Sequence, residues 1–192
     1  MATTPERATV RQVTRPPEPL PGLAPDLAAA VLALAGIRNG QLVLDLTPAA
    51  RLTASAAAAA GPQGRVVVLQ PTTRALPPGA TRAATTPAGS VEGGERLARV
   101  LAVAPQRTAR ELAAVLGACT PHLAGGARMA VLTKASSGRV GEGLPAVLAE
   151  LGLEVLHAEG MQTPVGRLAI AVARPLLSRD AVSADAGVPP VR

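Results

Sequence analysis

The sequence predicts a three-layer α/β sandwich around a mostly parallel sheet of six or seven strands. Two short apolar runs, residues 42–46 and 66–69, are typical of buried strands, and the segment between them is rich in alanine. Parallel strands need a connection of a dozen or more residues, so residues 52–60 predict a crossover helix. Such a unit is right-handed almost without exception, and a ligand site belongs at the carboxyl ends of its strands.

The chain before the first strand predicts a lead-in and one helix. Residues 1–21 are polar and rich in proline, which predicts an extended or disordered segment. Pro25 and Asp26 are typical of a first helical turn, and apolar residues then recur at helical spacing. Gly36 is a fitting end for this helix.

The middle of the chain predicts a weak strand, a strong strand and a capped helix. Residues 72–94 are rich in proline, threonine and glycine, and they allow at most a short third strand near 81–85. Leu97–Ala104 is apolar except for Arg99 and predicts the fourth strand. Thr108 and Glu111 have the spacing of a capping box, which predicts a helix that starts directly after Thr108.

The next segment predicts a strand, a loop and another helix. Gly125 and Gly126 are followed by apolar residues, which predict the fifth strand. Residues 136–143 predict a flexible loop. Apolar residues at helical spacing over 144–151 predict a helix that ends at Gly152.

The chain closes with two predicted strands and a tail. Residues 154–158 and 167–174 predict the last two strands, and residues 176–192 have no periodicity, which predicts a flexible tail. The length of 192 residues fits one domain, predicted here over residues 22–175. Hydrophobic residues make up 48% of the chain, but none is aromatic, so the expected core is leucine, valine and alanine.

Charge and cysteine content restrict the expected partners. The net charge of +6 comes almost entirely from arginine, and it favours an anionic partner. The arginines are scattered along the sequence and no aromatic residue is present to stack on bases, so nucleic acid is not the expected partner. Cys119 is the one cysteine, which excludes a disulfide framework and a cysteine-based metal site; no metal is predicted.

The apolar runs and the N-terminal residues also indicate where in the cell the protein is expected. The apolar run at residues 27–35 is too short to span a bilayer. The N-terminus has acid and proline where a signal peptide needs an apolar core. The sequence therefore predicts a cytoplasmic protein without a membrane segment.

The first strand and the crossover helix resemble the first βαβ unit of class I S-adenosylmethionine-dependent methyltransferases. In that family the first strand runs into an acid and a Gly-x-Gly-x-Gly turn, and the second strand ends in an acid that holds the ribose. Asp45 stands at the first acid position, whereas Thr47, Ala49 and Arg51 occupy the three glycine positions. Gln70 occupies the position of the ribose acid. The resemblance covers residues 20–175.

The second half of the chain supports the same resemblance. A helix, the sequence Ala124-Gly125-Gly126 and a strand follow in the family's order, with alanine in place of the usual proline. A helix and two terminal strands resemble the family's closing pair, in which the last strand inserts antiparallel. The resemblance therefore implies a Rossmann-like sheet with an antiparallel last strand.

The resemblance implies S-adenosylmethionine as cofactor and a small-molecule acceptor. No catalytic acid or base is predicted, because the sulfonium already carries the leaving group and the protein supplies orientation. Replacing the ribose acid by the Gln70 amide implies weaker cofactor binding, by about 1–2 kcal/mol. The cofactor-binding positions carried over from the family are Asp45, Leu46, Thr47, Ala49, Arg51, Gln70, Pro71 and Val103.

Other interpretations remain open from the sequence. Asp45 is also explained as a strand-end acid that accepts turn amides, Gln70 as a plain polar residue, and Arg51 as a surface side chain. The whole chain is also explained as a catalytically inactive relative that acts as a binding or assembly subunit, in a homo- or hetero-oligomer. A third interpretation, an RNA-associated domain, rests only on the basic charge.

Overall fold

The structure, a computed structural model, describes residues 25–47, 49–70, 75–136, 143–164 and 166–176. The predicted lead-in, nearly all of the predicted tail and most of the predicted loop at 136–143 lie outside these ranges. No helix in the described ranges is long and apolar enough to cross a membrane.

The described part of the chain contains four α-helices and seven strands. Short 3₁₀ turns at Ala88–Ser90 and Thr120–His122 add to these elements. In chain order the elements are α1 (Pro25–Ala35), β1 (Leu42–Asp45), α2 (Ala50–Ala60), β2 (Arg65–Leu69), β3 (Arg82–Ala84), β4 (Leu97–Ala104), α3 (Ala109–Cys119), β5 (Leu123–Lys134), α4 (Leu144–Glu150), β6 (Leu153–Thr163) and β7 (Gly166–Pro175).

The strands form one seven-stranded sheet in the order β3-β2-β1-β4-β5-β7-β6. β1 pairs in parallel with both β2 and β4, and Val43 lies opposite Val66 on one side and Arg99 on the other. β7 runs antiparallel between β5 and β6. The predicted fold class is therefore confirmed, including the insertion of the last strand.

The sheet separates two cores because successive side chains of a strand point to opposite faces. Leu42 and Leu44 of β1 join the core that α3 and α4 cover. Val43 joins the core that α1 and α2 cover. The largest fully buried side chains are leucine, methionine, isoleucine and valine, as expected for a chain without aromatic residues.

The helix ends follow the local signals in the sequence. Gly36 and Gly61 follow α1 and α2 with φ of 58° and 66°, a region that favours glycine. The predicted capping box of α3 is confirmed: the N–H of Thr108 donates to Oε2 of Glu111 at 2.6 Å. In return, the N–H of Glu111 donates to Oγ1 of Thr108 at 3.4 Å.

The family resemblance implies a turn at Gly125 and Gly126, and the structure does not form it there. β5 already begins at Leu123, which lies opposite Leu97, and Gly125 and Gly126 fall inside the strand. The register shifts there, because the next pairing after Leu97–Leu123 joins Arg99 to Arg128. Between these two pairings, residues 124–127 of β5 lie opposite the single residue Ala98 of β4, and the extra residues form an irregular bulge.

The last two strands are longer than predicted. β6 extends to Thr163 and β7 begins at Gly166, whereas the apolar pattern had indicated residues 154–158 and 167–174. The added residues 159–163 of β6 are exposed or half-buried and include Glu159, Gln162 and Thr163, so they carry no apolar signal. Its pairing with β7, from Leu153–Pro175 to Thr163–Gly166, extends the strand.

Candidate functional site

The carboxyl ends of β1, β2 and β4 define the candidate site. The chain leaves β1 for β2 on one side and returns to β4 on the other, so the strand order reverses between β1 and β4. In open α/β sheets, ligands bind outside the carboxyl ends of the strands at such a reversal. The structure brings the ends of these strands, with Asp45, Gln70 and Val103, to this one edge.

Asp45 is fully buried and is bonded to its own turn and to α2. The N–H of Thr47 donates to its Oδ1 at 3.2 Å, and Oγ1 of Thr53 donates to its Oδ2 at 2.7 Å. Burial raises the pKa of Asp45 to about 6, although both hydrogen bonds act in the opposite direction. These bonds are those of a strand-end acid that accepts turn donors; a contact with the cofactor stays a prediction.

Thr47 joins β1 to β4 where the strand order reverses. Its Oγ1 accepts a hydrogen bond from the N–H of Val103 at 2.6 Å, and its side chain is 8% exposed. The neighbouring N–H of Leu46 donates to the carbonyl of Leu101 at 2.8 Å. A glycine at position 47 would have no atom to accept the Val103 N–H, so the residue that replaces the family's first glycine links two strands.

The other two glycine positions lie at the start of α2. Ala49 is the N-cap with φ −110° and ψ 126°, an extended conformation that any residue adopts. Its side chain makes no capping hydrogen bond, so the first N–H groups of α2 have no side-chain acceptor from the N-cap. The side chain of Arg51 is exposed. Neither position needs glycine for its backbone conformation.

The remaining predicted positions differ in their exposure. Gln70 follows β2, is 9% exposed, and donates its N–H to the carbonyl of Ala84 at 2.9 Å. The side chain of Leu46 is buried in the core beneath α3 and α4, and that of Val103 in the opposite core. Pro71, like Pro48 in the first turn, lies outside the described residues.

Thr53 is a site residue that the sequence interpretation missed. It is fully buried on α2 and its hydroxyl bonds Asp45, with the carbonyl of Ala49 also within 3.1 Å. Its position in an alanine-rich helix, one turn after the N-cap, was the available signal. Among the described residues, no three histidine, cysteine, aspartate or glutamate side chains lie close enough together to hold a metal ion.

A pocket of about 270 Å³ lies where β5 ends, between the start of α4 and the strands β6 and β7. Its lining is mostly apolar and includes Ser136, Leu144, Ala158 and Ala169. Ala169 lies opposite Thr133 of β5, whose hydroxyl is buried without a hydrogen-bond partner in the described part of the chain. The pocket is smaller than the usual range for ligand pockets, roughly 300–1,000 Å³.

Comparison with known proteins identifies the fold. No protein-family model and no curated protein matches the sequence. Among solved structures, TrmN from Thermus thermophilus is 24% identical with a TM-score of 0.56, over 80% of this chain. The match spans about half of TrmN, 49% of its chain.

Two further structures match over most of their own length. Precorrin-6y C5,15-methyltransferase from Geobacter metallireducens is 12% identical with a TM-score of 0.53, over 83% of this chain and 94% of that one. Fibrillarin from Aeropyrum pernix, crystallised with natively bound S-adenosyl-L-methionine, is 19% identical with a TM-score of 0.54, over 76% of this chain and 73% of that one. The chain has the Rossmann-like fold of class I S-adenosylmethionine-dependent methyltransferases, as the resemblance predicted.

We expect the hydroxyl of Thr47 to contribute measurably to stability. Thr47→Val keeps the shape but leaves the buried N–H of Val103 without its acceptor, which costs about 1–3 kcal/mol. Thr47→Ser keeps the acceptor and is the matched control. Urea unfolding of the three proteins measures the difference, and equal stability of the valine and serine variants would show that the bond is not formed.

We expect Asp45 to lower the free energy of unfolding as pH rises, opposite to the usual effect of an acidic residue. Its pKa is about 6 in the folded chain against an ordinary 3.8, so between roughly pH 4 and 6 the folded state holds more protons than the unfolded state. The contribution of Asp45 to stability therefore falls as pH rises through this window and levels off above it.

Asp45→Asn has no charge to lose and isolates this effect. The free energy of unfolding of Asp45→Asn relative to the unmodified chain should rise between pH 4 and pH 7, by up to about 3 kcal/mol. Urea unfolding of both proteins at the two pH values measures it, since the other titrating groups cancel in the difference. A difference that stays constant across the window contradicts the burial of an ionisable Asp45.

Proposed function

We propose that this chain binds S-adenosylmethionine at the carboxyl edge of β1, β2 and β4 and transfers the methyl group to a small-molecule acceptor. The observation that supports this most is the reversal of strand order between β1 and β4, beside the start of a helix without a side-chain cap. Fibrillarin, which shares the fold, was crystallised with natively bound S-adenosyl-L-methionine. The proposed location is the cytoplasm, as the sequence predicts.

The residues at this edge fit the polar groups of the cofactor. The first N–H groups of α2 suit its carboxylate, because the start of a helix favours an anion. The exposed Arg51 adds positive charge there. We assign the ribose hydroxyls to Gln70, which directly follows β2 and whose amide oxygen can accept a hydrogen bond.

Methyl transfer requires this chain to do little more than orient the cofactor and the acceptor. The bound cofactor supplies a methyl group activated by a positively charged sulfur. Asp45 holds the end of β1 against α2, and Thr47 holds it against β4. The two residues thereby fix the backbone at the base of the proposed site. We place the acceptor in the pocket lined by Leu144, Ala158 and Ala169, whose small volume and apolar lining suit a small apolar group.

One observation favours a second candidate, a catalytically inactive subunit with the same fold. The N–H of Val103 already donates to the hydroxyl of Thr47. Both carboxylate oxygens of Asp45 already accept hydrogen bonds from the protein. This edge therefore offers a cofactor fewer free polar groups than a glycine-rich turn and an unbonded acid would offer. This candidate predicts a homo- or hetero-oligomer, measured by size-exclusion chromatography with light scattering.

Isothermal titration with S-adenosylhomocysteine, the demethylated product, separates the two candidates. We expect weak binding by the unmodified chain and binding about five- to thirtyfold tighter by Gln70→Glu, since a carboxylate restores a charge-assisted bond to the ribose. Gln63→Glu, on the exposed turn between α2 and β2, makes the same charge change away from the site and serves as the control.

The titration has clear outcomes. Tighter binding by Gln70→Glu alone supports the cofactor site and its position. Flat traces up to millimolar ligand for all three proteins would overturn cofactor binding and leave the inactive subunit. Equal gains from both glutamate variants would show that ligand binds somewhere other than at the end of β2.

A further inference from the structure

Three arginines that are far apart in the sequence meet at the amino edge of the sheet. Arg99 of β4 and Arg128 of β5 lie opposite each other, and side chains at matched positions of parallel strands share a face. Arg38 lies in the connection between α1 and β1 and is close enough for its charge to act on Arg99. We call Arg38, Arg99 and Arg128 the amino-edge arginine cluster.

Arg99 is the buried centre of the cluster. It is 6% exposed, and its Nε donates to the carbonyl of Gly36 at 3.2 Å, directly after the end of α1. Its Nη1 donates to the carbonyl of Ala98 at 2.6 Å, and the carbonyl of Gly126 lies 3.5 Å away. These carbonyls accept from Nε and Nη1 of Arg99, but none of them carries a full negative charge.

The other two arginines add positive charge beside Arg99. Nη1 of Arg128 reaches the end of α1, because a Cβ built on Gly36 would lie 3.4 Å from it. Burial lowers the pKa of Arg99, and the charges of Arg128 and Arg38 lower it further. The side chains of Arg38 and Arg128 are exposed, and in the described ranges neither forms an ion pair.

The described acids do not neutralise the cluster. Glu92 and Glu95 lie at the same edge, but they form ion pairs with Arg65 and Arg82 at the starts of β2 and β3. Asp26 lies at the opposite end of α1. The helix end provides only a partial negative charge, equivalent to about half an elementary charge, against three guanidinium groups.

We propose that the amino-edge arginine cluster binds a phosphate group. Guanidinium groups match phosphate oxygens with paired N–H donors, and Arg38 and Arg128 are exposed and available to do so. Arg99 supplies a buried charge beneath them, and in the described ranges no carboxylate forms an ion pair with it. Phosphate suits the site better than a single carboxylate because it carries more charge and more acceptor oxygens.

This site is separate from the proposed cofactor site. Arg99 lies opposite Val43, four residues before Thr47 along β1, which corresponds to roughly 13 Å of strand. The phosphate has two sources with the same chemistry, a free phosphate or nucleotide and the backbone of an RNA strand. The proposal does not depend on methyl transfer, and its test does not measure activity.

The test compares two double variants with the same change in net charge. Arg38→Ala/Arg128→Ala removes the exposed members of the cluster and keeps Arg99, which holds the end of α1. Arg110→Ala/Arg167→Ala removes two exposed arginines at the opposite edge, at the starts of α3 and β7, and serves as the control. Thermal unfolding confirms that both variants are folded before binding is measured.

Two probes distinguish the sources of phosphate. Isothermal titration measures inorganic phosphate, and fluorescence anisotropy measures a labelled 12-nucleotide RNA at several salt concentrations. We expect affinity for at least one probe to fall tenfold or more in the cluster variant and to stay within twofold in the control. If RNA is the source, the slope of log K against log salt should also become shallower by about 1.4, for two lost contacts to a single strand.

Each outcome decides the proposal. Loss of phosphate binding alone in the cluster variant identifies a free phosphate or nucleotide, and loss of RNA binding identifies the RNA backbone. Both support the site. If neither probe distinguishes the cluster variant from the control, or if neither probe binds the unmodified chain, the proposal is overturned.

Discussion

The link between β1 and β4 at the reversal of strand order is the interaction on which the rest of the site depends. β1 has only four residues, and all of them are buried. Its end is fixed by the bond from the Val103 N–H to Thr47 and by the bond from Thr53 to Asp45. The first bond sets the spacing of the two central strands, and the second sets where α2 begins relative to the sheet.

These links also explain how the fold persists where the family's glycines are absent. A glycine-rich turn leaves backbone N–H groups free for a ligand, whereas this turn uses side chains to bond protein groups. Burying Asp45 has a cost, seen in the rise of its pKa to about 6. The site thus combines the strand order of a cofactor-binding sheet with a turn that is already bonded to its neighbours, which fits weakened binding.

Local signals predicted most of the fold, and contacts between distant residues account for what they missed. The alternation of apolar runs and an alanine-rich helix predicted β1, α2 and β2, and Thr108 with Glu111 predicted the start of α3, because each pattern lies within a few residues. The bulge at Gly125 depends on pairing with β4, and the bond from Thr53 to Asp45 depends on how α2 packs. The sequence likewise showed scattered arginines, and only the pairing of β4 with β5 brings Arg99 beside Arg128.

Binding of an adenosyl cofactor at the carboxyl edge, despite the linked turn, can be measured directly. The backbone amide spectrum of the ¹⁵N-labelled chain is recorded with increasing S-adenosylhomocysteine. We expect the signals of Thr47, Gln70 and Val103 to shift, while those of Gly36 and Gly126 at the amino edge do not. Unchanged signals at the carboxyl edge under saturating ligand, or shifts confined to the amino edge, would contradict this expectation.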